Sequence, residues 1–213
     1  PAVIEEPEVT ASDLKMLLFR DVLGEARTHV SGSAGRIGNV KLSAKLINGI
    51  VLNSGDTFSY NDSVGKRTEA RGFKPAPAYV KGETVDEVGG GICQTSSTIY
   101  YAVLHTTLEI VERHKHQFNG GYMPVIGTDA TVWSDQLDFR FQNNTDYPIK
   151  IESYLDKNHK LHVTIYGTEQ MQWYADYLEG KFDLTLWHSQ FAFASPHCWF
   201  TPMDSMVPQT PSL

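Results

Sequence analysis

Cys93 carries the strongest chemical signal in this chain. It follows Gly89-Gly90-Gly91-Ile92 and precedes an unbroken stretch without Gly or Pro from Thr95 to Leu108. A helix is therefore expected to start close to Cys93. The N-terminus of a helix offers free N–H groups and a partial positive charge, and both favour a thiolate. The glycines let the backbone approach a substrate, and N–H groups around Gly91 to Gln94 could face a developing oxyanion. That is what a nucleophilic cysteine needs. The competing reading is an inert, buried cysteine beside a tight turn.

A thiol nucleophile needs a base, and Glu112-Arg113-His114-Lys115-His116 supplies two candidates. Histidines two apart on a strand share a face, which with Cys93 also invites a metal reading. The spacing fits no zinc signature, so neither metal nor cofactor is expected. His114 reads better as part of a solvated basic turn. Asp129 and Asp138 are the candidates for orienting the histidine; turn and strand-edge solvation are their plainer roles. Gly89, Gly90, Gly91, Gln94, Ser96, Ser97 and Arg113 are the candidate substrate-binding residues. A serine-hydrolase reading lacks the G-x-S-x-G elbow. The glycine triplet also lacks the spacing and the Lys of a phosphate loop.

The elements that must position these residues are partly readable. Asn39 to Asn48 reads as a helix stopped by Asn48-Gly49, after a Gly/Ser loop from Ser31 to Gly38. Asp13 to Arg27 fits a helix or a strand equally. Thr57 to Tyr60 and Ile110 to Arg113 read as strands. Residues 61–88 read mostly as loop, with a strand at Ala78 to Val80. Over residues 137–166 apolar residues alternate between Asn/Asp-rich turns, which predicts an antiparallel meander. The fold class expected is α+β: N-terminal helices, with the cysteine-bearing helix packed on a C-terminal antiparallel β-meander.

The chain has 213 residues, 18 Lys plus Arg against 25 Asp plus Glu, and a net charge of -7. This argues against nucleic-acid binding by backbone electrostatics. No apolar run approaches the roughly 20 residues that span a bilayer. Two cysteines exclude a disulfide-rich scaffold and a Cys-only zinc site. The first residue is Pro1, and residues 1–16 read as a linker from an upstream region of a longer protein. Residues 169–213 hold three of the four tryptophans and a single Lys or Arg, and form an atypical tail. A disulfide from Cys93 to Cys198 in that tail would silence the thiol, and it is not expected.

The segments GGGICQTSSTIYYAVL, LEIVERHKHQF, GTDATV and LDFRFQNNTDYPIKI resemble the VanW domain family, as does KLSAKLINGIVLNSGDTFSYNDSVGKRTEARGF upstream. The resemblance covers residues 17–168. It implies a Gram-positive cell-envelope protein, membrane-anchored or exported, with a peptidoglycan-binding-type domain upstream and its action on the extracellular face. The family takes its name from a glycopeptide-resistance cluster. Some members resemble L,D-transpeptidases, forming 3-3 cross-links in peptidoglycan. The motif cysteine, the implied nucleophile, maps onto Cys93. The motif histidine maps onto His116 rather than His114, and the aspartates onto Asp129 and Asp138. Gln117 stands where family members usually have Ser. The tail after Thr168 matches no part of the family pattern. The implied activity is acyl transfer on stem tetrapeptides, with hydrolysis as a variant. The alternative is a non-catalytic module that binds peptidoglycan stem peptides.

Overall fold

The computed structural model describes residues 18–168 apart from 81–82, 118–120 and 135. The expected linker at 1–16 and the tail at 169–213, with Cys198, lie outside the described residues.

The elements run β1 (Asp21–His29), α1 (Ala34–Ile47), β2 (Val51–Leu52), β3 (Thr57–Ser59), α2 (Tyr60–Val64), a 3-10 turn (Glu69–Arg71), β4 (Pro75–Val80), β5 (Glu83–Val88), α3 (Cys93–Val103), β6 (Glu109–Glu112), β7 (Arg140–Gln142), β8 (Ile149–Leu155) and β9 (Lys160–Gly167). They form antiparallel sheets ordered β1-β9-β8-β2 and β3-β7-β6, and a β4-β5 ribbon. The α+β expectation holds, with the cysteine-bearing helix α3 packed against strands β1 and β9. The 137–166 segment divides between two sheets. β8 and β9 form a hairpin in the first, while β7 lies between β3 and β6 in the second.

β1 resolves the ambiguity over Asp13 to Arg27 within the described residues. Its inward row is Gly24, Ala26 and Thr28, all small, because α3 lies directly on it. A Cβ on Gly24 would stand 2.4 Å from the Ala102 carbonyl oxygen. α1 starts earlier than Asn39, capped by Ser33, whose Oγ accepts from the Arg36 N–H at 3.3 Å. Its first turns hold Gly35, where a Cβ would meet the Pro75 carbonyl oxygen at 2.9 Å, so the glycine reflects packing and not a loop. Residues 61–88 also carry more structure than expected, with α2 and the β4-β5 ribbon.

The core gathers around α3. Tyr100 meets Phe139 edge-on at 5.5 Å between centroids, and Phe58 and Phe141 continue the stack at 5.0 Å. Gln94 to Ile99 are all buried, five of them polar. Each polar side chain has a partner, as buried polar groups require. Thr95 bonds Ser43 of α1 at 2.8 Å, and Thr98 bonds Thr28 of β1 at 2.8 Å. These bonds fix the rotation of α3 and hence the direction of Cys93.

Candidate functional site

Cys93 is the first residue of α3, half-buried, with no side-chain cap on the helix start. Two features of the glycine triplet make this turn. Gly91 sits at φ +98°, where L side chains are strained. Gly90 lies so close to β4 that a Cβ would stand 2.0 Å from the Ala76 carbonyl oxygen. The N–H groups of Gln94 and Thr95 close the first turn onto Gly91 and Ile92 at 3.0 and 2.8 Å. Of the expected oxyanion donors Gly91 to Gln94, the N–H groups of Gly91 and Cys93 have no partner among the described residues.

The Cys93 thiol lies 3.7 Å from the Thr131 hydroxyl and 3.5 Å from the Val132 carbonyl oxygen, and His116 is the group that acts on it most strongly to favour the thiolate. Its Nδ1 lies 2.6 Å from Asp129 Oδ2, and its own N–H donates to the same oxygen at 2.7 Å. Asp129 is held in turn by Arg113, which donates to its Oδ1 at 3.2 Å and to its carbonyl oxygen at 2.7 Å. The Arg113 guanidinium stacks on Tyr100 of α3, 5.0 Å from the ring centroid.

Burial opposes the Cys93 thiolate, but the hydrogen bond and charge of His116 outweigh it. Smaller contributions come from the Val132 backbone and the Thr131 hydroxyl, and the thiol titrates below its ordinary value. Burial would lower His116, and its bonds to Cys93 and Asp129 raise it instead. Asp129, despite burial, falls below the usual carboxylate value through His116 and Arg113. All three shifts favour a thiolate–imidazolium pair braced by a carboxylate.

The other expected site residues take different places. Asp138 does not meet His116. Its carboxylate accepts from Ser59 Oγ at 2.5 Å, the Asn61 N–H at 2.9 Å and the Phe139 N–H at 2.8 Å, tying the start of α2 to the segment before β7. His114 bonds Glu112 at 2.9 Å, apart from the Cys93–His116 pair. Gln94 is fully buried. It accepts from Arg36 at 2.8 Å and donates to the His29 carbonyl at 2.8 Å and Thr28 at 3.1 Å. Ser96 and Ser97 are also fully buried, donating to the Ala130 carbonyl at 2.7 and 3.2 Å. The Ala130 N–H donates to Ser97 at 2.9 Å. Gln94, Ser96 and Ser97 therefore hold the frame, and the two serines hold the segment that presents Asp129. Among the described residues no group of three or more His, Cys, Asp or Glu is placed to hold a metal ion.

Sequence reasoning missed two residues. Tyr122 sets its ring edge-on to His116, 6.4 Å between centroids, and its hydroxyl lies 3.4 Å from Ser97. Burial, and then the nearby Cys93, push its phenol well up, so it stays neutral. Arg36 of α1 reaches the helix start through Gln94. The signal for Tyr122 was only a position between the histidine and Asp129. For Arg36, in a segment read as loop, there was none.

A cysteine at a helix start, paired with a histidine whose far nitrogen rests on a carboxylate, can generate a nucleophilic thiolate at neutral pH. The chain that builds it belongs to the VanW family: the profile for VanW like protein matches residues 35–166. It is 43% identical over 159 residues to the uncharacterized protein YoaR of Bacillus subtilis (strain 168), covering 72% of this chain and 52% of the relative. It is 30% identical over 141 residues to the vancomycin B-type resistance protein VanW of Enterococcus faecalis (strain ATCC 700802 / V583), covering 64% of this chain and 51% of that one. The chain thus spans about half the length of these curated relatives. No solved structure matches it.

Proposed function

We propose that this domain is a cysteine-dependent acyltransferase of the L,D-transpeptidase type. It acts on peptidoglycan stem tetrapeptides at the extracellular face of the cell envelope. The observation that carries the reading is the Cys93–His116–Asp129 arrangement, with Asp129 Oδ2 at 2.6 Å from His116 Nδ1. The family resemblance, and a relative named for vancomycin resistance, support a cell-wall substrate.

Cys93 Sγ attacks the carbonyl carbon of the third stem residue. The N–H groups of Gly91 and Cys93 serve the tetrahedral oxyanion. The bond to the terminal amino acid breaks, and the His116 imidazolium protonates its leaving amine. The thioester is then attacked by an amine of a neighbouring stem. His116 takes the amine's proton, and the thiolate leaves. Asp129 holds the tautomer and stabilises the imidazolium at both protonated stages. With water as acceptor the same residues hydrolyse the thioester.

The test is intact-protein mass spectrometry after incubation with disaccharide-tetrapeptides, wild type beside Cys93→Ala. The expected result is an acyl adduct on the wild type alone, with cross-linked or hydrolysed product masses telling transfer from hydrolysis. Absence of any adduct, with Cys93 no more reactive than the thiol of the unfolded chain, refutes the reading and leaves a stem-peptide binding module.

A further inference from the structure

We propose that Arg36 is a substrate-recognition residue that binds the free carboxylate of the amino acid displaced from the acyl donor. The inference rests on the acyl-transfer reading above. Its basis is where the guanidinium lies and what it lacks.

Arg36 belongs to α1, but its side chain runs alongside the residues that make the Cys93 turn. A Cβ on Gly91 would stand 2.5 Å from Arg36 Cγ, so only glycine there lets the side chain pass. Arg36 Nη2 donates to Gln94 Oε1 at 2.8 Å, and Nη1 donates to the Ser31 carbonyl at 2.7 Å. The guanidinium is thereby fixed beside residues 91–94, flanking Cys93. Gln94 is itself locked by β1, so the fork has little freedom.

Those two bonds use two of the five guanidinium donors, leaving three without a partner among the described residues. No carboxylate pairs with Arg36 there either. Arg113 differs in having a carboxylate partner, since three of its five donors go to Asp129 and Gly127 and one of these bonds is an ion pair with Asp129. A half-buried cation without a counter-ion is costly, and burial lowers the Arg36 pKa accordingly. The Cys93 thiolate lies within its electrostatic reach and opposes that shift. The site thus holds an unspent planar donor fork beside the nucleophile, and a carboxylate is the group that such a fork fits two bonds at a time. The tetrahedral oxyanion has other donors in the Gly91 and Cys93 N–H groups. The reaction removes a terminal residue, so a free α-carboxylate always lies one residue beyond the carbonyl under attack. Donors with a carboxamide or a further residue at that place lose the interaction.

Two haloacetyl probes test the cation without requiring catalysis. Iodoacetate and iodoacetamide both alkylate the thiolate with loss of iodide, and only iodoacetate carries a carboxylate. Rates at Cys93 are read by peptide mass spectrometry, so alkylation of Cys198 is counted apart. The iodoacetate-to-iodoacetamide rate ratio should exceed that of the urea-unfolded chain by about tenfold or more, the worth of one charge-assisted hydrogen bond. Arg36→Gln should return the ratio to the unfolded value, and Arg36→Lys should lower it partway. The iodoacetamide rate in each variant reports whether the site is intact, and Arg36→Lys decides the matter if Arg36→Gln does not fold. A wild-type ratio equal to the unfolded one, or a ratio unchanged in both variants, overturns the proposal. A Cys93 no more reactive than the unfolded thiol overturns the nucleophile and Arg36 together. In the peptide assay, a tetrapeptide carboxamide should acylate about tenfold more slowly than the acid on wild type, and the two should converge on Arg36→Gln. Iodoacetate selection with no adduct from either peptide leaves the carboxylate site standing and refutes stem tetrapeptides as the acyl donor.

Discussion

Asp129→Asn tests whether the carboxylate on His116 sets the state of Cys93. In the wild type Asp129 Oδ2 serves both the His116 ring and its N–H, at 2.6 and 2.7 Å, and its side chain is 19% exposed, so solvent screening is modest. The ring bond is charge-assisted whenever His116 is imidazolium, worth about 1.5–3 kcal/mol against about 1 kcal/mol for a neutral bond. Replacing one by the other costs the thiolate–imidazolium pair about 1–2 kcal/mol relative to thiol and imidazole, or roughly five- to thirtyfold in population. The amide that Asp129→Asn introduces can also donate to Nδ1 and place the remaining proton on Nε2, which further disfavours proton acceptance from the thiol. The assay is the iodoacetamide rate at Cys93 from about pH 5 to pH 9, where an ordinary thiol gains its thiolate only at the upper end. The variant should react about tenfold more slowly near neutrality and meet the wild type at the alkaline end. Asp138→Asn should lower stability through its three lost or weakened bonds to Ser59, Asn61 and Phe139, yet leave the Cys93 profile of the folded molecules unchanged. An Asp129→Asn profile that overlays the wild type, or an Asp138→Asn profile shifted in its place, would refute the reasoning.

Gly90→Ala should cost about 3 kcal/mol in urea unfolding, because its Cβ meets backbone at Ala76 that has no flexible end to yield. Gly38→Ala, in α1 with nothing within 4 Å of its Cβ, should instead gain about 0.5–1 kcal/mol. Equal effects at the two glycines would contradict the packing described. The stability difference between wild type and Asp129→Asn should also depend on pH. Asp129 is depressed below 3.8, so its contribution is present above that value and is lost as pH falls through the folded pKa. His116 is raised above 6.5, so its contribution is full below that value and is lost as pH rises through the folded pKa. Melting temperatures should therefore differ most between those limits and converge on both sides. A constant difference across the range would mean that the bond is not ionic.

α3 was legible because its evidence is local. The glycines, the absence of breakers and the cysteine at the junction all lie within one run of residues. The stop at Asn48-Gly49 was legible for the same reason, and Gly49 does sit at φ +87°. β1 was not, because its buried row is Gly24, Ala26 and Thr28, chosen for closeness to α3 and carrying no apolar alternation. The β4-β5 ribbon was hidden by Pro75 and Pro77. Prolines two apart place both missing N–H groups on one side of the strand, and a two-stranded ribbon has an outer side that needs none. In the site, the pairing of histidine with aspartate was beyond local pattern. Asp129 and Asp138 differ only in where their segments run. Ser96 and Ser97 draw residue 130 onto α3, while Ser59 and Asn61 claim Asp138 for α2. Those choices are made by buried hydrogen bonds between distant segments, which leave no periodicity to read.

The pairing of β1 with β9 sets an order in time. Synthesis delivers residues 21–29 early and their ladder partners at 160–167 late. Until the partner emerges, β1 has nothing to bond to, and α3, which rests on both strands, has no floor. Closing so long a loop before its contacts can reward it slows folding relative to a helical chain of similar size. Throughout that interval the growing polypeptide carries its cysteine without the enclosure that sharpens it. The environment that lowers the thiol's pKa is thus assembled only once β9, the last strand among the described residues, has been made.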